Sequence, residues 1–586
     1  MQAKQTDNNV ALSSSECFVV ICILALIYCK YKEPIEEKLH DPHFILLIAS
    51  GAVFFGLSAY AFAHYAEKVW NGLRMWQLGI KLDDEEKVKF PFIPFELQKE
   101  ADLFYKDGKN SLNTFLGLNA EKNNKEVVSI PDIQRCQHMQ VLGMIGTGKT
   151  SSVFMSLIYQ DALKKRPVII IDAKGEESFI SQINGMLTKM GRADDFLVFS
   201  LAHKNKSCTY NPLYVGQCDP HVISQAFLSH FKDENSYYRE TAKIIFSEAF
   251  YVLHSLGKPF TIMDMYAYLN DNACRKEINS LVEAAGGEAL LHLKILNEKI
   301  ISLTKQYKDW RHVIGGLNNY LLSYKEAILN DADGDIVFTE VIKQGKIVYL
   351  QLPTNAYPIE APNIARLAQA NLRYISSLIQ TGELPKDILI SINIDEYGSF
   401  AEEFFVEVNN KARSSCMMIT IAHQSSGDLS QVSPSFKERM EASTVNKIYF
   451  KEGNHDHCEG IAQGLGTREK EEKTYRKTGG RFGNQIYTGE SSSRMVNVFN
   501  FHPDKIKNLN KHGQAYFIYR GDNSQKCVNF GQFNNLTLIL YEKKAKKNKK
   551  EGLGSFEKNY IKNNRKEEPT EKPKPPEDKP DIPPAK

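Results

Sequence analysis

The sequence predicts an α/β protein: a mostly parallel, doubly wound sheet with an all-α insertion, preceded by a helical hairpin in the membrane. Three observations carry that reading. Strand-like apolar runs alternate with helical segments over residues 125–213 and again over 335–530, the pattern of a parallel sheet wrapped by helices. The first of these runs leads into a glycine-rich turn of fixed spacing, and two further apolar runs lie near the N-terminus.

The 586 residues suggest about three or four domains. Lys and Arg total 73 against 70 Asp and Glu, a net charge of +3. That excludes a protein coating nucleic acid by bulk charge, so any basic surface must be local. Apolar residues at 42% and charged residues at 24% exclude wholesale disorder. The ten cysteines show no CxxC pairs, and Cys17, Cys22 and Cys29 lie in an apolar run. A zinc ribbon is excluded, and a reduced bulk follows.

Phe44–Ala63 is a run of twenty residues without a charge, about 30 Å of helix and enough to cross a hydrocarbon core. Cys17–Cys29 has thirteen apolar residues. Ahead of it Lys4 is the only basic residue, and no cleavage site follows, so a second span is expected rather than a signal peptide. The loop Lys30–His43 carries three Lys against Glu33, Glu36, Glu37 and Asp41, and so lacks a cytoplasmic loop's basic excess. The expectation is a multi-pass membrane protein with both ends cytoplasmic.

Gln140–Thr150 reads QVLGMIGTGKT and satisfies GxxxxGK[ST]. Glycines let backbone N–H groups curl around phosphate, and the following helix adds its positive end. The turn Gly143, Met144, Ile145, Gly146, Thr147, Gly148, Lys149, Thr150 and Ser151 is therefore the expected nucleotide cradle. Lys149 neutralises terminal phosphates, and Thr150 offers its hydroxyl to Mg²⁺. A second strand, Val168–Ile171, runs into Asp172-Ala-Lys174-Gly175-Glu176. A third, Asp387–Ile394, delivers Asp395 and Glu396, a Walker B arrangement. There Asp395 supports the magnesium and Glu396 polarises water. Met417–Ile421 then ends in Ala422-His423-Gln424-Ser425, where Gln424 is placed to sense the γ-phosphate. Arg413 precedes that strand, as a residue completing a neighbouring subunit's site or as a solvated surface arginine.

Between the sheet halves, Thr241–Leu256, Leu290–Leu303 and Trp310–Leu322 have three- and four-residue apolar spacing and read as helices. Ile364–Ile379 is a helix packed on the sheet. The expected boundaries are an anchor, 1–70, with spans at about 14–31 and 44–63; a linker and start of the cytoplasmic part, 71–124; a nucleotide-binding domain, 125–221 and 326–540; an inserted all-α domain, 222–325; and a disordered, charged, Pro-rich tail, 541–586. Thr467–Arg494 is basic with interleaved aromatics. It reads equally as a nucleic-acid-tracking loop or a solvated hairpin. His455, His457 and Cys458 lack further ligands at metal spacing, which favours a polar turn.

Together these features resemble the TraD/TraG-type coupling proteins of conjugation and type IV secretion, ATPases related to FtsK/HerA translocases. The matching stretches are GMIGTGKT, IIIDAKGE (169–176), YNPL (210–213), VYLQLP (348–353), INIDEYGSF (392–400) and ARSS…IAHQSS (412–426). The resemblance implies a RecA-like P-loop NTPase sheet domain in a homohexameric ring under the inner membrane. It also implies ATP and Mg²⁺ as cofactors, and Glu396, Lys149, Gln424 and Arg413 as the catalytic set. The cargo would be DNA with a bound relaxase, or effector proteins, passed to secretion-channel components. Two other readings stand beside this one: an ATPase that moves or remodels proteins only, and a substrate-receptor scaffold using ATP for assembly. Met144-Ile145 departs from the small polar residues common at that place in the turn, and Lys174 has no role derivable from sequence.

Overall fold

The computed structural model describes residues 95–543, apart from 109, 217–218, 229–230, 232, 402–405, 407–412, 480–484 and 534–535. Its strands are β1 (Asn113–Asn119), β2 (Val127–Pro131), β3 (Met139–Leu142), β4 (Val168–Asp172), β5 (Phe196–Ser200), β6 (Ile347–Gln351), β7 (Ile390–Asp395), β8 (Met417–His423), β9 (Asn446–Tyr449), β10 (Thr467–Gly479), β11 (Gln485–Phe499), β12 (Gln514–Tyr519) and β13 (Ser524–Asn529). All but β10 and β11 form one eleven-stranded sheet, ordered β2-β1-β13-β12-β9-β3-β8-β7-β4-β6-β5. From β9 to β5 every pairing is parallel. From β9 outward through β12, β13, β1 and β2 every pairing is antiparallel.

The parallel body matches the α/β expectation, and the antiparallel wing extends it. β1 comes from the stretch 71–124 read as linker, and it pairs with β13, some four hundred residues on. Such pairing leaves no local spacing signal. β3, β4 and β8 are buried along their whole length. This explains their run-on apolar character, since helices cover both faces of a parallel sheet.

The P-loop helix is α1 (Met155–Leu163), entered through a wide π-helical turn at Lys149–Phe154. The next crossover uses α2 (Glu177–Lys189). Between β5 and β6 come α3 (Pro220–Leu228), α4 (Ser236–His254), α5 (Ile262–Asn270), α6 (Asn272–Ala285), α7 (Ala289–Tyr307) and α8 (Gly315–Leu322). The helix expected over Trp310–Leu322 is shorter, with a 3-10 turn at Trp310–His312 before α8 begins at Gly315. Local capping sets these ends: Asn235 accepts from the amides of Tyr237 and Tyr238, and Thr261 and Asp264 form a capping box.

The YNPL motif clasps the root of this helical block. Asn211 donates to the carbonyls of Phe260 (2.8 Å) and Ala332 (2.9 Å), and accepts from the Leu213 amide. It thereby ties the outgoing and returning chains together. α9 (Glu360–Thr381) packs its apolar face on the sheet and holds the block's entry through a hydrogen bond from the Asp219 amide to the Tyr374 hydroxyl.

Among the described residues no helix is long and apolar enough to cross a membrane. This overturns the expected localisation as a multi-pass inner-membrane protein with both ends cytoplasmic. Even the 22-residue α9 carries Glu360, Arg366 and Arg373 and spends its apolar face on the sheet. The two expected spans, about 14–31 and 44–63, lie outside the described residues, as do residues 544–586 of the tail. Residues 541–543, expected to belong to that tail, pack on the sheet domain: Tyr541 stacks edge-on to Phe196, and Lys543 pairs with Asp335 at 2.7 Å.

Among the described residues β10 and β11 pair with each other as a long antiparallel ribbon, which takes in residues 467–479 and 485–494 of the stretch read as a nucleic-acid-tracking loop or a solvated hairpin.

Candidate nucleotide site at the strand ends

Parallel register brings the expected site residues to one edge. Leu142, last in β3, pairs with His423, last in β8, and Asp172 of β4 pairs with Asp395 of β7. β8 lies between the P-loop strand and the Walker B strand, so Gln424 emerges midway between cradle and acids. Gly148 has φ +102°, and a Cβ there would sit 3.0 Å from both the Gly513 amide and the His512 ring. A side chain would be strained and crowded there. Lys149 is buried, and its ammonium donates to the carbonyls of Gly143 and Met144. Burial lowers its pKa, while Glu396 and Asp395 pull it upward.

The Thr150 hydroxyl donates to Asp395 Oδ2 at 2.8 Å, joining the cradle to the acid pair. Glu396 has φ +51°, an uncommon left-handed conformation for a non-glycine residue, costing about 1–2 kcal/mol. Its amide donates to Asp395 Oδ1 at 2.9 Å. The Gln424 side-chain amide donates to Glu396 Oε2 at 3.0 Å. Lys174, without a role from sequence, has one: its ammonium lies 3.0 Å from Glu396 Oε1 and 3.8 Å from Asp395 Oδ2.

The Gln424 turn is braced from inside the sheet. The Gln424 and Ser425 amides both donate to Asp428. His423 is fully buried between Gln140 (2.6 Å) and the Ser425 carbonyl (2.7 Å), and burial pulls its pKa down to about 4. A neutral imidazole then donates from Nδ1 to Ser425 and accepts from Gln140. Gln140 in turn accepts from the buried Lys447, which desolvation lowers to about 7.

Burial raises the pKa of Asp395 above the ordinary carboxylate value, Lys174 opposing it. Burial likewise raises Asp172, against a hydrogen bond from Tyr349. A buried acid short of positive charge beside a hydroxyl fits Mg²⁺, which takes hard oxygen donors, often one carboxylate plus phosphates and water. Thr150 and Asp395 are the residues that would hold it.

Arg413 is not brought to this edge. It is exposed in the 3-10 turn before β8, at the opposite end of the strand from Gln424. Met144 and Ile145 crown the loop, the latter 76% exposed. Ser151 faces His512 at 3.4 Å, and His512 also bonds the Gly146 carbonyl at 2.8 Å. Sequence reasoning missed His512 because it lies some 360 residues from the loop it buttresses. His455, His457 and Cys458 begin a helix capped by Asn454. Cys458 is buried, and His457 faces Glu452 at 3.4 Å.

A glycine-rich GxxxxGKT turn after a parallel strand, an acid pair at the end of a second strand and a glutamine between them are the features of the P-loop class of α/β fold. No family model matches the chain. Over 148 residues, 22% of this chain, it is 30% identical to the type 4 coupling protein DotL of Legionella pneumophila. That stretch spans 18% of DotL, less than a fifth of the relative's length. The plasmid coupling protein TrwB, solved with the non-hydrolysable ATP analogue ADPNP, has a TM-score of 0.50 at 15% identity, covering 74% of this chain and 97% of that one. An unbound form of the bacterial conjugative coupling protein TrwBdeltaN70 gives 0.49 at 17% identity, covering 71% and 90%. The resemblance to type IV coupling proteins drawn from the motifs is thus borne out, with the likeness to TrwB resting on the fold.

Proposed function

We propose that this chain is a type IV coupling ATPase: it binds ATP with Mg²⁺ and uses hydrolysis to pass DNA–relaxase or effector cargo toward a secretion or conjugation channel. The observation that carries this is the unbroken contact path Thr150–Asp395–Glu396–Gln424 across three adjacent strand ends. It joins the element that grips phosphate to the element that senses it.

In the proposed mechanism the backbone amides of Gly143–Thr150 and the Lys149 ammonium hold the phosphates. Thr150 and Asp395 would hold Mg²⁺, which would supply positive charge against the phosphates. Glu396 accepts a proton from the attacking water, its carboxylate aimed by Gln424 and Lys174. Gln424 changes partner as the γ-phosphate leaves, and its turn transmits that change. A ring of six copies, as the resemblance implies, would bring an arginine such as Arg413 to a neighbour's site.

The test is ATP hydrolysis by the purified full chain, with and without Mg²⁺ and DNA. Metal-dependent hydrolysis that DNA stimulates, with stimulation falling steeply as salt rises, supports DNA cargo. Metal-dependent hydrolysis indifferent to DNA at low salt supports protein cargo. An absence of hydrolysis under all conditions overturns the proposal.

A further inference from the structure

Lys174 sits in a turn built to hold it still. The Asp172 carboxylate accepts the amides of Lys174 (2.9 Å) and Gly175 (3.0 Å) and the Tyr349 hydroxyl (2.6 Å). Gly175 has φ +73°, and a Cβ there would lie 2.7 Å from the Pro353 side chain. The turn is thus closed by hydrogen bonds on one side and by proline contact on the other. Because Asp172 and Asp395 are register partners, a residue two positions past Asp172 overhangs the acid pair.

Two lysines serve three acids at this edge, Asp172, Asp395 and Glu396, and they divide the work. Lys149 donates to the loop carbonyls of Gly143 and Met144. Lys174 alone among the described residues makes ion pairs with the acid pair. Its ammonium is off-centre, closer to Glu396 (3.0 Å) than to Asp395 (3.8 Å). Asp395, the deeper acid, turns the same oxygen, Oδ2, toward Lys174 and Thr150. A metal ion approaching that oxygen meets Lys174 as a competing positive charge.

We propose that Lys174 is a resident counter-cation of the acid pair, sharing Asp395 with the divalent metal and orienting Glu396 jointly with Gln424. It is a positioning residue, and the proposal rests on the magnesium–ATP reading of the site. When metal and nucleotide enter together, the phosphates supply the negative charge that lets two cations stand side by side. Lys174 then keeps its contact with Glu396 and yields Asp395. Without nucleotide, it holds divalent metal off. The device makes metal loading contingent on nucleotide.

The experiment uses the full chain as wild type, Lys174→Met and Lys174→Arg, with Mn²⁺ as the probe. Free Mn²⁺ is titrated by electron paramagnetic resonance in the absence of nucleotide. Removing a like charge about one side chain away relieves a repulsion that partly screened surroundings do not cancel. Lys174→Met should therefore bind Mn²⁺ about tenfold tighter than wild type, and Lys174→Arg should match wild type. In hydrolysis, Lys174→Met should lose about 10–100-fold in kcat, with KM for ATP within about threefold and with Lys174→Arg recovering most of the loss.

Equal or weaker Mn²⁺ binding by Lys174→Met, with a native melting curve, overturns the proposal. So does an unchanged kcat in Lys174→Met, where wild type hydrolyses ATP. Should wild type not hydrolyse ATP while Lys174→Met still gains Mn²⁺ affinity, the ATPase reading fails and the counter-cation role stands.

Discussion

The parallel sheet carries a cluster of buried charge at each edge, and the two are built on opposite rules. At the edge where the parallel strands begin, Arg135 grips Asp161 bidentately (2.8 and 2.7 Å), Arg166 bridges Asp161 and Asp132, and Lys164 meets Asp132 at 2.8 Å. Three cations serve two acids, and both acids are fully buried. Burial alone would raise Asp132, but Arg166 and Lys164 overcome it and hold the carboxyl well below its ordinary range. At the edge where the strands end, the acids outnumber the lysines, and burial raises Asp395 and Asp172. One cluster is neutralised by its own side chains, whereas the other keeps a deficit of positive charge that a metal ion would satisfy. The contrast separates a structural charge network from a working one, and substitutions should respond accordingly.

The largest expected effect is on catalysis. Lys149→Ala should lower ATP hydrolysis by about 100-fold or more through lost phosphate contacts, with little change in melting temperature. Its ammonium contributes to loop carbonyls rather than to the core. A Lys149→Ala protein that hydrolyses normally would erase the functional half of the comparison.

Next comes the structural edge. Asp132→Asn should destabilise the protein by about 3–5 kcal/mol, because it leaves Lys164 buried without a counter-charge and Arg166 with Asp161 alone, already shared with Arg135. Chemical denaturation measures this. The acid dependence follows with a fixed sign. Both Asp132 and Asp161 are held below their ordinary value of 3.8. Their stabilisation is therefore fully present above about pH 4 and is lost as pH falls through the lower folded values. The Asp132→Asn protein should show a shallower loss over that range; an equally steep one would place the acid-sensitive groups elsewhere.

The smaller effects sharpen the contrast. Gln424→Ala should slow hydrolysis about tenfold while leaving Asp132-type stability untouched, since Gln424 touches Glu396 and not the core network. Asp395→Asn should leave the metal-free melting temperature unchanged or slightly higher, because it removes a buried charge that lacks full compensation. A marked drop in melting temperature there would mean that both clusters are structural.

Much of the working edge is legible in sequence because it is local. Gly143 to Thr150 is a contiguous pattern, and Asp395-Glu396 and Gln424 each follow an apolar strand at the point where a parallel sheet exposes its ends. What escapes is whatever depends on register between distant segments. Lys174 meets Glu396 only because β4 and β7 pair with Asp172 opposite Asp395. The structural edge joins residues from 132 to 166 through buried contacts that no spacing rule marks. Arg413 is a different case: it stands in the turn before β8, with Gln424 just past the strand's other end, and a part in a neighbouring subunit's site depends on an interface between copies that no spacing within one chain encodes. The pairing of wing strands β1 and β13 was equally hidden, since it spans nearly the whole described chain, while β2 and β12 on their other sides are near in sequence.

The most direct test of the working edge is the rate of Mg²⁺-dependent ATP hydrolysis by the full chain carrying Glu396→Gln. Gln keeps the shape and a hydrogen bond to its neighbours but cannot take a proton. The account predicts a fall of about 100-fold or more with nucleotide binding retained. Hydrolysis at the wild-type rate would contradict it.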